Sequence, residues 1–465
     1  MMIAILKRDV QAHWRSQQFA VLLVLSIVLF AMSAWVACEA YREQMAFYTR
    51  SVAEGAREPD TRFAYLYARP SPLAFVAAGS ASCQHAGYGL TTKGGWTPKY
   101  RQARNFKMPS VPDLDWVFII SVIFSLYALL LSFRSISAEK AAGTLRLTLA
   151  NPVGRSHLLL AKYLAVLLTI APALLIGLLV NLIVISVLLP DGLTLALVPR
   201  LLLVVILGLL LISAFVFLGL LVSCLLTPSA VVLLVVLSVW IVSVIIIPNA
   251  SGIVADTVAQ VPTEFQTARQ EPLHRVEVRD EMADLRRRVE KGEVTDEKAI
   301  RRMARDLFDQ GLDSIRNIYT AYDDATRRRM ALARQIARVS PNALFQYASE
   351  SLAHTGFTRD QRFRRDVKAY SEIFDRYVLD KTGQLVPFVG WGIVFTAELE
   401  GQTIEIPSWT ENYDGDLSDF PVFAETPFSL RRALREAILD LGGLACWNLI
   451  LAALAFTAFA RCDVR

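Results

Sequence analysis

The sequence lacks the motifs by which a chain binds a nucleotide or builds a common hydrolytic site. It has no Gly-x-x-x-x-Gly-Lys-Ser/Thr run, whose backbone amides would wrap a phosphate chain, so any nucleotide is expected on a separate chain. It also has no His-Glu-x-x-His, Cys-x-x-Cys or Gly-x-Ser-x-Gly run. The sequence therefore predicts neither an active site nor a cofactor in this chain.

Cysteine and histidine are also scarce. The five cysteines have no paired spacing, which argues against a disulfide scaffold, although a single bridge between Cys38 and Cys83 stays open. The five histidines are scattered and indicate no metal site.

The composition indicates two environments. The chain is 54% hydrophobic and still 20% charged, and the charge is concentrated between about residues 250 and 435. The net charge of +5 is modest, and basic residues beside apolar segments ordinarily reflect membrane orientation, so we expect no nucleic-acid partner.

About six apolar blocks reach the roughly 20 helical residues that cross a hydrocarbon core of about 30 Å. They cover about residues 19–38, 115–134, 160–188, 200–224, 229–248 and 438–460. Basic residues precede the first block and are frequent in the connection between the second and third blocks. Another basic residue, Arg461, follows the last block. The positive-inside rule therefore predicts that both termini are in the cytoplasm, and the expected location of the protein is the bacterial inner membrane.

The expected fold class is an all-α membrane protein with a mostly helical periplasmic domain between the fifth and sixth spans. Apolar residues recur at helical spacing between about Glu264 and Val339, with Gly292 and Gly311 as interruptions, which predicts two or three amphipathic helices. The segment from Leu385 to Trp409 suggests a small β-hairpin around Glu400 and Gly401.

The predicted organisation has six parts. A basic amphipathic stretch begins the chain and indicates a helix on the inner leaflet, with an ordinary basic lead-in as the alternative. The parts are the interfacial helix 1–18, the first span 19–38, an outer segment 39–113, spans two to five in 114–248, the periplasmic domain 249–435, and the last span with its tail in 436–465.

The connection between the second and third spans, residues 137–157, reads SAEKAAGTLRLTLANPVGRSH. Gly143 interrupts the preceding helix, Thr144 is suited to cap a new short helix, and Asn151 with Pro152 would end it. The alternating leucines of the segment also fit a strand, so periodicity leaves both structures open.

These residues resemble the type-2 permeases of ABC transporters, whose loop reads acidic-basic-x-x-Gly-Thr-Leu followed by Pro-x-x-Arg. Lys162 fits the Lys that enters the third span of that family, and Thr148 departs from the usual Leu. The matching residues are Glu139, Lys140, Gly143, Thr144, Leu145, Pro152, Val153 and Arg155.

The resemblance implies that the loop is a coupling helix, which docks on a dimer of ATPase subunits that bind ATP and Mg. Arg146 and Leu149 join the matching residues as candidate contacts, and Glu139 and Arg155 would contact the ATPase or each other. The residues alone also allow a solvated connector. A second permease subunit, identical or homologous, and membrane lipid are the other expected partners.

A second resemblance concerns the outer regions. Residues 69–79 (RPSPLAFVAAG) and 340–356 (SPNALFQYASESLAHTG) look like a subgroup of these permeases that has a large outer domain. The expected function is export or lateral movement of a substrate. The alternative is a scaffold that transmits movement to an extracytoplasmic partner protein.

Residues inside the spans leave several roles open. Pro172, Asn181, Gly208 and Gly219 are suited to packing, to kinking or to lining a conduit. Ionisable residues occur only near span ends, as at Asp440, which argues against a proton-coupled mechanism.

Overall fold

The computed structural model describes residues 2–79, 87–93, 95–99, 114–150, 154–189, 194–259, 261, 264–383, 385, 394–399, 401–407 and 413–462. Their regular structure is mostly helical, which confirms the expected fold class. The helices are α1 (Met2–Trp14), α2 (Gln17–Arg57), α3 (Trp116–Ala141), α4 (Thr144–Ala150), α5 (Arg155–Leu188), α6 (Leu195–Leu225), α7 (Ser229–Val258), α8 (Glu264–Glu290), α9 (Glu297–Ala337), α10 (Pro341–Ala353), α11 (Gly356–Thr382) and α12 (Leu430–Arg461).

Six of these helices, α2, α3, α5, α6, α7 and α12, are long and apolar enough to cross a membrane. Two of them run well past their apolar blocks. Helix α2 has 41 residues and would reach about 60 Å at the rise of an α-helix. Helix α7 likewise continues to Val258.

Small and polar residues bring the spanning helices together. A Cβ atom on Gly177 would lie 2.2 Å from the Ser26 hydroxyl, so α2 and α5 touch there at backbone distance. The Asn181 side chain accepts a hydrogen bond from the Trp116 indole at 2.9 Å and donates one to the Phe30 carbonyl at 2.7 Å. Asn181 therefore links α2, α3 and α5 and serves packing.

Helices α8 and α9 form an antiparallel hairpin outside the bundle of spans. The turn contains Gly292 at a φ of +73°, a conformation that favours glycine. Gly311 was predicted to interrupt the helical pattern, and this prediction is wrong. It is buried inside the continuous helix α9. The strands β4 (Val394–Leu399) and β5 (Gln402–Pro407) form the predicted hairpin, and they pack on α8 and α9.

A three-stranded antiparallel sheet lies in the segment between the first two spans, where no strands were predicted. Its strands are β1 (Phe63–Tyr67), β2 (Gly87–Thr91) and β3 (Gly95–Lys99), in that order. The sheet packs on α11, where the Tyr88 and Phe363 rings stack with centroids 5.8 Å apart. Cys83, and with it the open bridge to Cys38, lies outside the described residues.

Helix α10 joins the outer helices to the spans, because nearly its whole surface is buried against α6 and α12. We call this end of the bundle the domain end. The two segments of the second resemblance meet here: the Ser71 hydroxyl donates to the Ala353 carbonyl at 2.7 Å. Gly79, at a φ of +61°, approaches Gly356 so closely that a Cβ atom would lie 3.2 Å from its Cα.

Buried ion pairs reinforce this junction. Arg338 binds Asp440 of α12 through two hydrogen bonds of 2.6 and 3.3 Å, and the Asp440 side chain is 1% exposed. Arg334 pairs with Glu350 of α10 at 2.9 Å. Removing one member of such a pair leaves an unpaired buried charge, so we expect these contacts to fix the outer helices to the spans.

Candidate coupling site

The candidate site begins where α3 ends. The Ala142 amide donates to the Ala138 carbonyl at 3.0 Å, and Gly143 has a φ of +71°, which closes the helix with a left-handed residue. The next segment, Thr144–Ala150, is helical, which decides between the helix and the strand that its leucines allowed. Thr144 is not the expected cap: its hydroxyl donates to the Glu139 carbonyl at 3.2 Å and accepts no amide of its helix.

Two of the three leucines of α4 face the spans, and the third faces away from them. Leu145 is 1% exposed and packs into the core of the spans, and Leu149 is half-buried against the same core. Leu147 is 71% exposed. The other exposed residues of α4 include Arg146 and Ala150, which lie three or four positions from each other or from Leu147. That spacing forms one helix face, which we call the α4 outer face.

The base of the loop is fastened to the hairpin of α6 and α7. The buried Ser223 hydroxyl accepts hydrogen bonds from the amides of Ile136 at 3.2 Å and Ser137 at 2.9 Å. The Ser137 hydroxyl lies 3.3 Å from the hydroxyl of Ser229, the first residue of α7. These bonds connect the loop to two spans beyond its own.

A charged cluster connects the loop to α1 and α5. The Lys162 side chain is 7% exposed, and its ammonium lies 2.5 Å from a Glu139 oxygen and 3.3 Å from an Asp9 oxygen. Arg8 approaches the same Glu139 oxygen at 3.8 Å. Lys162 therefore bridges α1, the end of α3 and α5, and Glu139 is directed toward its own chain.

Arg155 binds the end of the last span. Its guanidinium donates to the carbonyls of Ala460 at 2.7 Å and Cys462 at 3.1 Å. The last carbonyls of a helix have no hydrogen-bond partner within the helix and favour a nearby cation. Arg155 therefore supplies hydrogen bonds and a positive charge to the carbonyls at the end of α12. Glu139 and Arg155 thus do not pair with each other, which was one of the two expectations for them.

The remaining candidate residues have simpler surroundings. Lys140 is half-buried, and Arg146 is exposed on the α4 outer face. Pro152 and Val153 lie outside the described residues. No group of three or more metal-ligating side chains occurs within the described ranges.

The end of the bundle where α4, Arg155 and the end of α12 lie is called the loop end below.

Six candidate spans, with a short helix between the second and third of them, indicate a multi-pass membrane protein. The sequence model of the family described as "ABC-2 family transporter protein" matches residues 3–399. The chain therefore belongs to the ABC-2 transporter family. No curated protein sequence matches the chain significantly.

Sequence reasoning missed the inward direction of Leu145 and the role of Asp9. The spacing of Arg146, Leu147 and Ala150 was a usable signal for the exposed face, because residues three or four apart share a helix face. No local pattern pointed to Asp9 or Ser223, which reach the loop only through tertiary packing.

Proposed function

We propose that this chain is the permease subunit of an ABC transporter. It couples ATP hydrolysis by a separate ATPase dimer to the export or lateral movement of a substrate across the bacterial inner membrane. Two permease subunits, identical or homologous, complete the assembly, and ATP and Mg are bound by the ATPases. The α4 outer face carries the proposal: an exposed leucine and arginine stand on a helix whose other side is buried in the spans.

The ties of the loop support a mechanical role. Ser223 connects it to α6, Lys162 connects it to α1 and α5, and Arg155 connects the start of α5 to the end of α12. A displacement of α4 would thus also displace several spans. Nucleotide binding then biases the spans between two arrangements, which is what coupling requires.

The test compares two exposed leucines at opposite ends of the bundle. Leu147→Asp introduces a charge on the α4 outer face, and Leu195→Asp introduces the same charge at the domain end, where Leu195 is 89% exposed. Each variant is purified from its native host membranes, and co-purified ATP-binding-cassette subunits are identified by mass spectrometry and by ATPase activity.

We expect Leu147→Asp to lose the ATPase subunits while Leu195→Asp retains them, with both variants inserted in the membrane at wild-type levels. Leu145→Asp is a poorer probe, because burying a charge in the core would unfold the loop. Retention of the ATPase by Leu147→Asp would contradict docking at this face.

One observation favours the alternative, a scaffold that moves an extracytoplasmic partner protein. Helices α2 and α7 continue without a break past their apolar blocks, and α9 packs along the extension of α7. Movement of the spans would therefore reach the outer helices directly. ATPase activity that responds to an outer partner and to no solute would favour this function over transport.

A further inference from the structure

The first turns of α12 separate their charges onto two faces. Glu436 and Asp440 point into the protein, with side chains 24% and 1% exposed. The three arginines of the same turns, Arg431, Arg432 and Arg435, are exposed. We call these three residues the arginine face.

Both carboxylates are already bound by the outer helices. Arg362 of α11 pairs with Glu436, and Arg338 pairs with Asp440. On an isolated helix Glu436 would be the partner of Arg432, four residues earlier. Because Arg362 occupies it instead, no ion pair among the described residues involves the arginine face.

Two further arginines, Arg362 and Arg200, lie behind the arginine face, and Arg200 adds a positive charge that no carboxylate cancels among the described residues. The Arg362 guanidinium lies 4.0 Å from the centre of the Phe428 ring, and that of Arg200 lies 4.5 Å from the same ring. Arg200 donates to the carbonyls of Leu352 and Phe428, which are neutral partners. Within the described residues, Nε and Nη1 of the buried Arg362 have no hydrogen-bond partner.

The position of the arginine face along α12 matches the headgroup layer of a membrane. If the hydrocarbon core begins near Arg461, about 20 residues cross it and it ends near Leu441. Arg435 then lies roughly 9 Å beyond it, within the reach of a long side chain to the headgroups. The exposed side of α12 continues toward the loop end with apolar residues, namely Ile438, Leu439, Leu449, Ile450 and Leu454.

We propose that the arginine face binds the phosphate of an anionic phospholipid in the leaflet on the domain side. Guanidinium groups bind phosphate through paired hydrogen bonds, and three of them without a protein counter-ion favour a ligand with net negative charge. Arginines on the outer side run against the positive-inside rule, so a specific ligand accounts for them. The inference rests on the proposed orientation.

The experiment measures lipid binding to the full-length protein, delipidated in detergent, by native mass spectrometry. The probes are dioleoyl phosphatidylglycerol, dioleoyl phosphatidylcholine and inorganic phosphate. The variant R431Q/R435Q is compared with R279Q/R302Q, which removes two exposed arginines from the α8–α9 hairpin away from the spans. Both variants lose the same charge.

We expect R431Q/R435Q to weaken phosphatidylglycerol binding roughly thirtyfold, since each arginine near a lipid surface contributes roughly a five- to sixfold factor. R279Q/R302Q should bind as the wild type does. Equal binding by both variants, or equal binding of the zwitterionic lipid by the wild type, would overturn the proposal. Competition by inorganic phosphate at equal concentration would show a free-phosphate site and overturn the lipid assignment. The ATPase subunits that co-purify with R431Q/R435Q are also measured. If they are retained, a failure of the lipid proposal does not count against the proposed function.

Discussion

At the residue scale, His354 shows how a single side chain is held by its surroundings. It follows α10 in the left-handed conformation, with a φ of +55°, and its ring stacks on Phe428 with centroids 4.1 Å apart. Burial, followed by the nearby charges of Arg359, Arg362 and Arg200, lowers the pKa of His354 to about 3. The ring is therefore neutral in the folded protein at neutral pH.

This shift predicts a pH-dependent stability. An unfolded chain protonates His354 near its ordinary pKa of 6.5, whereas the folded chain resists protonation down to about 3. The stability from the neutral ring is thus present above pH 6.5 and lost as the pH falls toward 3. We expect His354→Asn, which suits the left-handed backbone, to show a smaller drop in thermal unfolding temperature between pH 7 and pH 4 than the wild type.

The control is His274→Asn, because His274 lies on the exposed hairpin and pairs with Glu277 at 2.7 Å. It should lose stability with acid as the wild type does. An identical drop in His354→Asn and wild type would contradict the assignment of the acid sensitivity to His354.

At the element scale, the contact between α3 and α6 depends on one glycine. A Cβ atom on Gly219 would lie 1.9 Å from the Ser132 hydroxyl and 2.9 Å from the Ser132 Cβ. These distances are too short for rotation of the serine hydroxyl alone to relieve them. The two helices would therefore have to separate, although they also carry the bonds from Ser223 to the loop.

Gly219→Ala is therefore expected to lower the free energy of unfolding by roughly 1–3 kcal/mol through overpacking. Gly442→Ala is the matched control, since its helical Cβ would meet nothing within 4 Å and alanine favours helix by up to about 1 kcal/mol. Thermal unfolding in detergent measures both. A Gly219→Ala protein as stable as Gly442→Ala would mean that α3 and α6 do not approach so closely.

At the scale of the whole molecule, the loop end and the domain end lie at opposite ends of α12. Arg155 binds the carbonyls at one end of this helix, and Arg338 binds Asp440 near the other. If α12 crosses the membrane, the α4 outer face and the α8–α9 hairpin are on different sides. The proposed orientation places α4 in the cytoplasm.

Labelling of single cysteines tests this orientation in a variant whose native cysteines are replaced. Lys291→Cys at the hairpin turn and Ala142→Cys beside α4 are both exposed positions. In intact spheroplasts a membrane-impermeant maleimide should label Lys291→Cys and leave Ala142→Cys unmodified until the membrane is opened. The reverse pattern would overturn the orientation and, with it, docking of a cytoplasmic ATPase at α4.

The number of candidate spans and the break at Gly143 could be predicted from the sequence, because both depend on local chemistry. A hydrocarbon core requires long apolar helices, and a left-handed residue after a helix favours glycine. The α8–α9 hairpin and the β4–β5 hairpin followed in the same way from helical periodicity and turn residues. The three-stranded sheet was not predicted, because its strands are short and β1 pairs with β2, which is distant from it along the segment between the first two spans.

The exposed side of α4 and the partners of its charged neighbours depend on how the helices pack, which local sequence patterns do not reveal. Leu145 and Leu147 are chemically identical, and the packing of the spans alone buries one and exposes the other. Glu139 and Arg155 were ambiguous for the same reason, since their partners, Lys162 and the end of α12, are distant in sequence. A pattern along the chain encodes helices, whereas the identity of a contact depends on how those helices pack.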